Sequence, residues 1–230
     1  MGQTLQKGGP SLKLCARVNF RSSSVSEVLQ AGPFRAWLAQ FVASLRGHGG
    51  TDVPCGTCVG CCVSGYPVPI RATDALDDVL PREYVVSVSS ISKMLVARED
   101  GTCPMLQQSG CLIYSRRPQT CRDYDCRVFA AAGIDAGGPE RSVINERVRA
   151  WRFTYEDEQA RRVHEAVKAT ARFIRESGAA SAGQAPSPGS VAVLSIKAFE
   201  VFLDRSAISR PPREIAAAIV AASKKFDLAI

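Results

Sequence analysis

The chain has 230 residues, 46% of them hydrophobic, with nine cysteines and a formal charge of +7. That length and apolar content suffice for one substantial domain with extensions, or two small ones, without covalent staples. No run reaches the ~18–20 apolar residues of a membrane helix, the N-terminus lacks the apolar stretch of a secretory signal, and an odd cysteine count argues against a complete disulfide framework. A cytoplasmic, reducing location is expected, where free thiols ligate metal.

Residues 1 to 22 are polar and rich in Gly and Ser, and Ser24-x-x-Glu27 resembles a capping box before a short helical turn. Pro33 suits the first position of a helix running to Arg46. Its apolar positions Phe34, Trp37, Leu38, Phe41, Val42 and Leu45 fall on one face. Tyr66-Pro-Val-Pro-Ile70 reads as extended, residues 73–80 as a short helix stopped by Pro81, and Tyr84 to Val88 as a strand. Segments 93–98 and 102–106, joined by Asp100-Gly101, read as a hairpin. Thr154-x-x-Asp157 predicts a capped helix over 155–176. The Ala/Ser/Gly/Pro-rich stretch 178–189 reads as a linker, followed by helices over 192–204 and 212–227.

The predicted fold is α+β and mainly helical, with a small β-hairpin and irregular cysteine-rich loops packed between helices. A metal-binding domain is expected over 24–180, its motif core at 50–135, and a helical extension over 190–230.

Chemistry concentrates in eight cysteines. Cys55, Cys58, Cys61 and Cys62 form a C-x2-C-x2-C-C run, and Cys103, Cys111, Cys121 and Cys126 follow within the next 64 residues. Thiolates are soft, charged ligands, and tight C-x2-C loops aim them at one point. Such sets select zinc, iron–sulfur clusters or Cu(I) over magnesium or calcium. Adjacent Cys61 and Cys62 are expected to diverge, serving different metals or leaving one thiol free. The fourth ligand of the first loop is then expected from the second block. Arg116, Arg117, Arg122 and Arg127 are candidate charge partners for the thiolates. Counting thiolates also lowers the basicity: two four-thiolate zinc sites would leave a net charge of about +3. No basic patch with interleaved aromatics indicates nucleic acid.

Cys15 stands apart from both blocks, His164 reads as a helix residue rather than a ligand, and His48 as a spare ligand at most. Asp74, Asp77 and Asp78 read better as a solvated face than as an acidic metal site. Phosphate loops, H-E-x-x-H helices, G-x-S-x-G elbows and EF-hand loops are missing from the sequence.

Cys55-Gly-Thr-Cys58-Val-Gly-Cys61-Cys62, Cys103-Pro104, and Cys111-x-Ile113-Tyr114-x-x-Arg117-Pro118-x-x-Cys121-Arg122 together resemble the YkgJ-type CxxCxxCC cysteine-cluster family, described as chelating zinc or iron. The likeness covers residues 50–135 and implies that the eight cysteines carry metal. One relative, flagellin lysine N-methylase, is an iron–sulfur-dependent methyltransferase, so the resemblance adds that activity as an alternative. The expected cofactor is an iron–sulfur cluster of the 4Fe-4S type, or zinc, in a redox or modification reaction with a protein or redox partner. The alternatives are a non-catalytic zinc-stabilised binding module and a Zn or Cu(I) chelator.

Overall fold

The protein is described by a computed structural model covering residues 28–51, 53–90, 92–108, 110–180, 185–204 and 209–229. The predicted capping box at Ser24 and the isolated Cys15 lie outside these residues. The chain is mainly helical α+β, with small sheets of two or three strands. Among the described residues, no helix is long and apolar enough to cross a membrane.

Strand β1 (Leu29–Pro33) leads directly into helix α1 (Phe34–Leu45), which buries Phe34, Trp37, Leu38 and Phe41 as the periodicity predicts. Pro33 is the cap residue rather than the first helical one, because it still belongs to the strand. β1 was not predicted: Leu-Gln-Ala-Gly-Pro shows neither alternation nor β-branching. It exists because β7 (Trp151–Thr154) supplies a parallel ladder. The register slips between Gln30 and Gly32, and Gly32 absorbs the irregularity at φ +90°.

A second sheet orders β2 (Val68–Ile70), β4 (Ser92–Leu95) and β3 (Val85–Ser89) as β2–β4–β3, both pairs antiparallel. The expected pairing of 93–98 with 102–106 is therefore corrected. Asp100-Gly101 does reverse the chain, with Arg98 N donating to Thr102 O at 2.8 Å and Asp100 capping the Thr102 amide. The β4 ladder nevertheless goes to β2 and β3, which seats Leu95 in a core with Leu76, Leu80, Met105 and Ile113. β5 (Leu106–Gln107) and β6 (Gly110–Cys111) form a minimal hairpin beyond it. The helix expected over 73–80 shrinks to a single 3-10 turn at Ala72–Asp74, followed by turns.

Helices α2 (Gln119–Asp123), α3 (Arg127–Ala132) and α4 (Ser142–Ala150) carry the chain into β7. The long helix α5 (Glu158–Ala180) starts later than predicted. Thr154 ends β7, and Asp157 caps the helix by accepting the Ala160 amide at 2.7 Å. Then follow α6 (Pro188–Ala198), α7 (Glu200–Leu203) and α8 (Pro212–Leu228). Val191, Ala192 and Ile196 of α6 are buried in the main core with Phe34, Trp37, Val128, Phe129, Ile144, Trp151 and Val167. The described residues thus form a large helical core, a smaller core under the three-stranded sheet and a third cluster around Ala198, Ile215 and Ile219, and the cysteine loops run along the seam between the first two.

Candidate metal centre

Four segments deliver the sulfurs. Cys55 and Cys58 lie in a turn, Cys61 and Cys62 on a 3-10 turn (Gly60–Val63), Cys103 and Cys111 flank the β5–β6 hairpin, and Cys121 and Cys126 sit on and after α2. Backbone bonds tie these segments together. Cys103 N donates to Cys62 O at 2.7 Å and Gly65 N to Gly101 O at 3.0 Å, fastening the first loop to the Asp100 turn. Thr51 N donates to Arg122 O at 3.2 Å, fastening the entry of that loop to α2. Gly60 packs so closely on α4 that a Cβ there would stand 3.2 Å from Ile144 Cα and 3.4 Å from Cys58 Sγ.

Both blocks of cysteines contribute to the main core, and the second contributes to the smaller one as well. Cys55 of the first block and Cys126 of the second both pack on the main core, whereas Cys103 and Cys111 pack on the smaller one. Electrostatic neighbourhoods follow the same partition. Cys126 feels Cys58 and Cys55, and Cys121 feels Cys61, Cys103 and Cys111. Cys61 lies between the groups, within reach of Cys55 as well as Cys103 and Cys111. The second block therefore reaches the first loop, as expected. Cys61 and Cys62 stand side by side on the 3-10 turn, and the Cys62 side chain raises the Cys61 thiol.

Burial pushes the thiols of Cys55, Cys103 and Cys111 above their ordinary range, and those of Cys121 and Cys126 up to about 12. The Cys61 thiol is raised by its hydrogen bond with Cys62, by burial and by the neighbouring sulfur. So many sulfurs cannot all ionise in one low-dielectric seam without a cation among them. The donor hydrogen bonds nonetheless suit thiolates. Gly60 N donates to Cys58 Sγ at 3.4 Å, and the Met105 and Ile113 amides stand where they lower the thiols of Cys103 and Cys111 against the effect of burial. All three are amides two residues beyond the cysteine. Trp151 Nε1 donates to Cys126 Sγ at 3.3 Å. An N–H aimed at sulfur favours the anionic, metal-ligating form, so the donor set fits a soft metal. Among the described residues no three Cys, His, Asp or Glu side chains yet stand close enough to grip an ion.

Of the four arginines expected as charge partners, Arg117 alone takes that role. It lies within electrostatic reach of Cys55, Cys61, Cys111 and Cys121, and its guanidinium stacks 4.1 Å over Tyr114. The other three are engaged elsewhere. Arg116 forks onto Asp78 at 2.8 and 3.0 Å, and Arg122 donates to the carbonyls of Arg117 and Ser115. Arg127 pairs with Asp125 at 2.8 Å inside the core. Two arginines the sequence reading did not single out take part. Arg147 donates to the Pro54 and Cys55 carbonyls and lies near the Cys55 sulfur, while Arg98 donates to Pro104 O at 2.7 Å near Cys103. Neither neighbours its cysteine in the chain, so spacing carried no signal for them. The buried Tyr124 side chain lies near Cys126 and Cys61, with its ring 5.4 Å from that of Tyr66.

The remaining candidates stay outside. Asp77 pairs with Lys93 and Asp78 with Arg116, while Asp74 accepts the Arg71 and Gln119 amides. Asp77 and Asp78 are exposed, whereas Asp74 is half-buried and fastens the 3-10 turn to the start of α2. His164 is buried against Phe34, rings 4.3 Å apart, and its Nδ1 meets Tyr155 Oη at 2.7 Å. His48 is exposed.

Comparison with curated proteins and with solved structures finds no match. Residues 54–161 match the family model CxxCxxCC, described as "Putative zinc- or iron-chelating domain". The match runs past the expected 50–135 to take in α4, β7 and the start of α5, and so includes Arg147 and Trp151. Residues 54–161, which carry all eight clustered cysteines, are thus similar to a cysteine domain described as chelating zinc or iron.

Proposed function

We propose that Cys55, Cys58, Cys61, Cys62, Cys103, Cys111, Cys121 and Cys126 form one metal assembly that carries an iron–sulfur cluster, of the four-iron type, in a redox or modification reaction. The observation that carries this reading is the set of N–H donors on sulfur. Amides and an indole on Cys58, Cys103, Cys111 and Cys126, with Arg117 close by, are the protein's means of setting a cluster's potential. When bound, such a cluster supplies one-electron chemistry. The chain's own residues hold its ligands: Arg147 clamps the Cys55 turn, Gly60 lets that turn press on α4, and Arg98 braces Cys103-Pro104. Closing the loops on the metal would complete the seam between the two cores. A reducing cytoplasm, which keeps the thiols free, and a protein or redox partner suit this chemistry.

A second reading, a zinc-stabilised binding module, is favoured by the partition of the sulfurs. Cys126 has Cys55 and Cys58 as its electrostatic neighbours, and Cys121 has Cys61, Cys103 and Cys111, and eight sulfurs are enough for two four-thiolate sites. Anaerobic purification followed by iron, acid-labile sulfide and zinc analysis separates the two. Brown protein absorbing near ~400 nm with matched iron and sulfide supports the cluster. Colourless protein with two zinc ions per chain refutes it and establishes the second reading.

A further inference from the structure

Trp151, whose indole donates to Cys126 Sγ, also lines a cleft of about 590 Å³. Its apolar floor comes from Ile134, Trp151 and Val191, and its rim carries Arg149, Arg152 and Arg175. That volume lies within the roughly 300–1,000 Å³ range of small-molecule sites. The only lining carboxylate among the described residues is Asp135, and it is engaged by Arg149 through Nε at 3.0 Å and through Nη2. Arg152 is held in place through Nη1 alone, which donates to Arg149 O at 2.6 Å and Trp151 O at 2.9 Å. Its remaining donors face no carboxylate among the described residues, and Arg175, exposed on α5, has no ion-pair partner there. The cleft therefore presents an excess of two positive charges above an apolar floor.

We propose that this cleft binds a small organic dianion, with its doubly charged oxyanion head on Arg152 and Arg175 and its apolar body over Trp151 and Ile134. Planar guanidinium groups suit phosphate and carboxylate oxygens alike, so a phosphate monoester and a dicarboxylate are the two sources of this chemistry. The proposal does not depend on which metal the cysteines hold. The shared wall does couple the two sites in space: Trp151, which floors the cleft, also donates to Cys126 Sγ.

Isothermal titration of the full-length protein with phenyl phosphate and, separately, with phthalate tests the site, with inorganic phosphate and benzyl alcohol as probes of charge and apolar body alone. Saturable one-site binding of phenyl phosphate or phthalate is expected, whichever binds tighter naming the head group, with both control probes at least tenfold weaker. Arg152→Gln and Arg175→Gln should each weaken binding about tenfold. Both residues are exposed, so the variants should keep the wild-type circular dichroism. Arg213→Gln, on exposed α8 surface, should change nothing. The proposal fails if neither dianion saturates, if inorganic phosphate binds as well as both, or if the Arg152/Arg175 double variant binds like wild type. An equal loss in Arg213→Gln would show diffuse charge attraction and would also overturn it.

Discussion

Removing the guanidinium of Arg127 should cost this protein a large part of its stability. Asp125 and Arg127 form an ion pair whose side chains are 0% and 6% exposed. The carboxylate accepts from Arg127 Nε at 2.9 Å, from Arg127 Nη2 at 2.8 Å, from the Arg127 amide at 2.9 Å and from Trp37 Nε1 at 2.9 Å. Arg127 Nη1 also donates to Ala31 O at 3.3 Å, so the pair ties α1 and β1 to the residues beside Cys126. Arg127→Met strands a fully buried carboxylate with two of its donors gone, which costs about 3–5 kcal/mol. Against a typical total of about 5–15 kcal/mol that is a major loss. With a urea slope of about 2 kcal/mol per molar, the unfolding midpoint should fall by about 1.5–2.5 M. Asp125→Leu combined with Arg127→Met removes both charges and leaves the Trp37 indole unpaired, for about 1–3 kcal/mol in all. Urea unfolding followed by circular dichroism, run separately on chelated and metal-loaded protein, measures both. A single-variant loss under about 1 kcal/mol, or single losses that simply add in the double variant, would refute the argument.

Arg117→Gln should weaken metal binding about 10–100-fold in competition with a chelator, while Arg116→Gln, whose partner is Asp78, should leave it unchanged. Equal effects would deny Arg117 its place beside the sulfurs. Gly60→Ala pushes a methyl to 3.2 Å from Ile144 Cα, so about 1–3 kcal/mol of stability and part of the metal content should be lost together. Wild-type metal stoichiometry in that variant would show that the Cys58 turn tolerates displacement. Burial lowers the His164 pKa from 6.5 to about 4, so the unfolded chain binds the extra proton first. The contribution is complete above pH 6.5 and is lost as pH falls toward 4, amounting to about 3 kcal/mol. Urea midpoints between pH 7 and 4 should drop more steeply in wild type than in His164→Phe; parallel profiles would count against it.

Periodicity and ligand chemistry were legible in the sequence, whereas pairing was not. The face of α1, the last helix (α8), the mainly helical class and the eight-cysteine set follow from local pattern, whereas the helix expected over 192–204 is split into α6 and α7, and the family match covers the stretch that carries all eight cysteines. β1 escaped because its five residues have no strand pattern of their own and are held by β7, more than a hundred positions later. The Asp100-Gly101 turn formed as its residues dictate, but β4 took other partners because Leu95 gains a buried core from β2 and β3. The arginines show the same division. Proximity in sequence nominated Arg116, Arg117, Arg122 and Arg127, yet only Arg117 stands beside the sulfurs, joined by Arg147 and Arg98, while the other three found closer acceptors. Which residue types can ligate a soft metal is a property of the chain and its spacing. Which sulfur neighbours which, and which cation stands beside them, depends on contacts between distant segments. Only the closing of the two cores on their seam decided those.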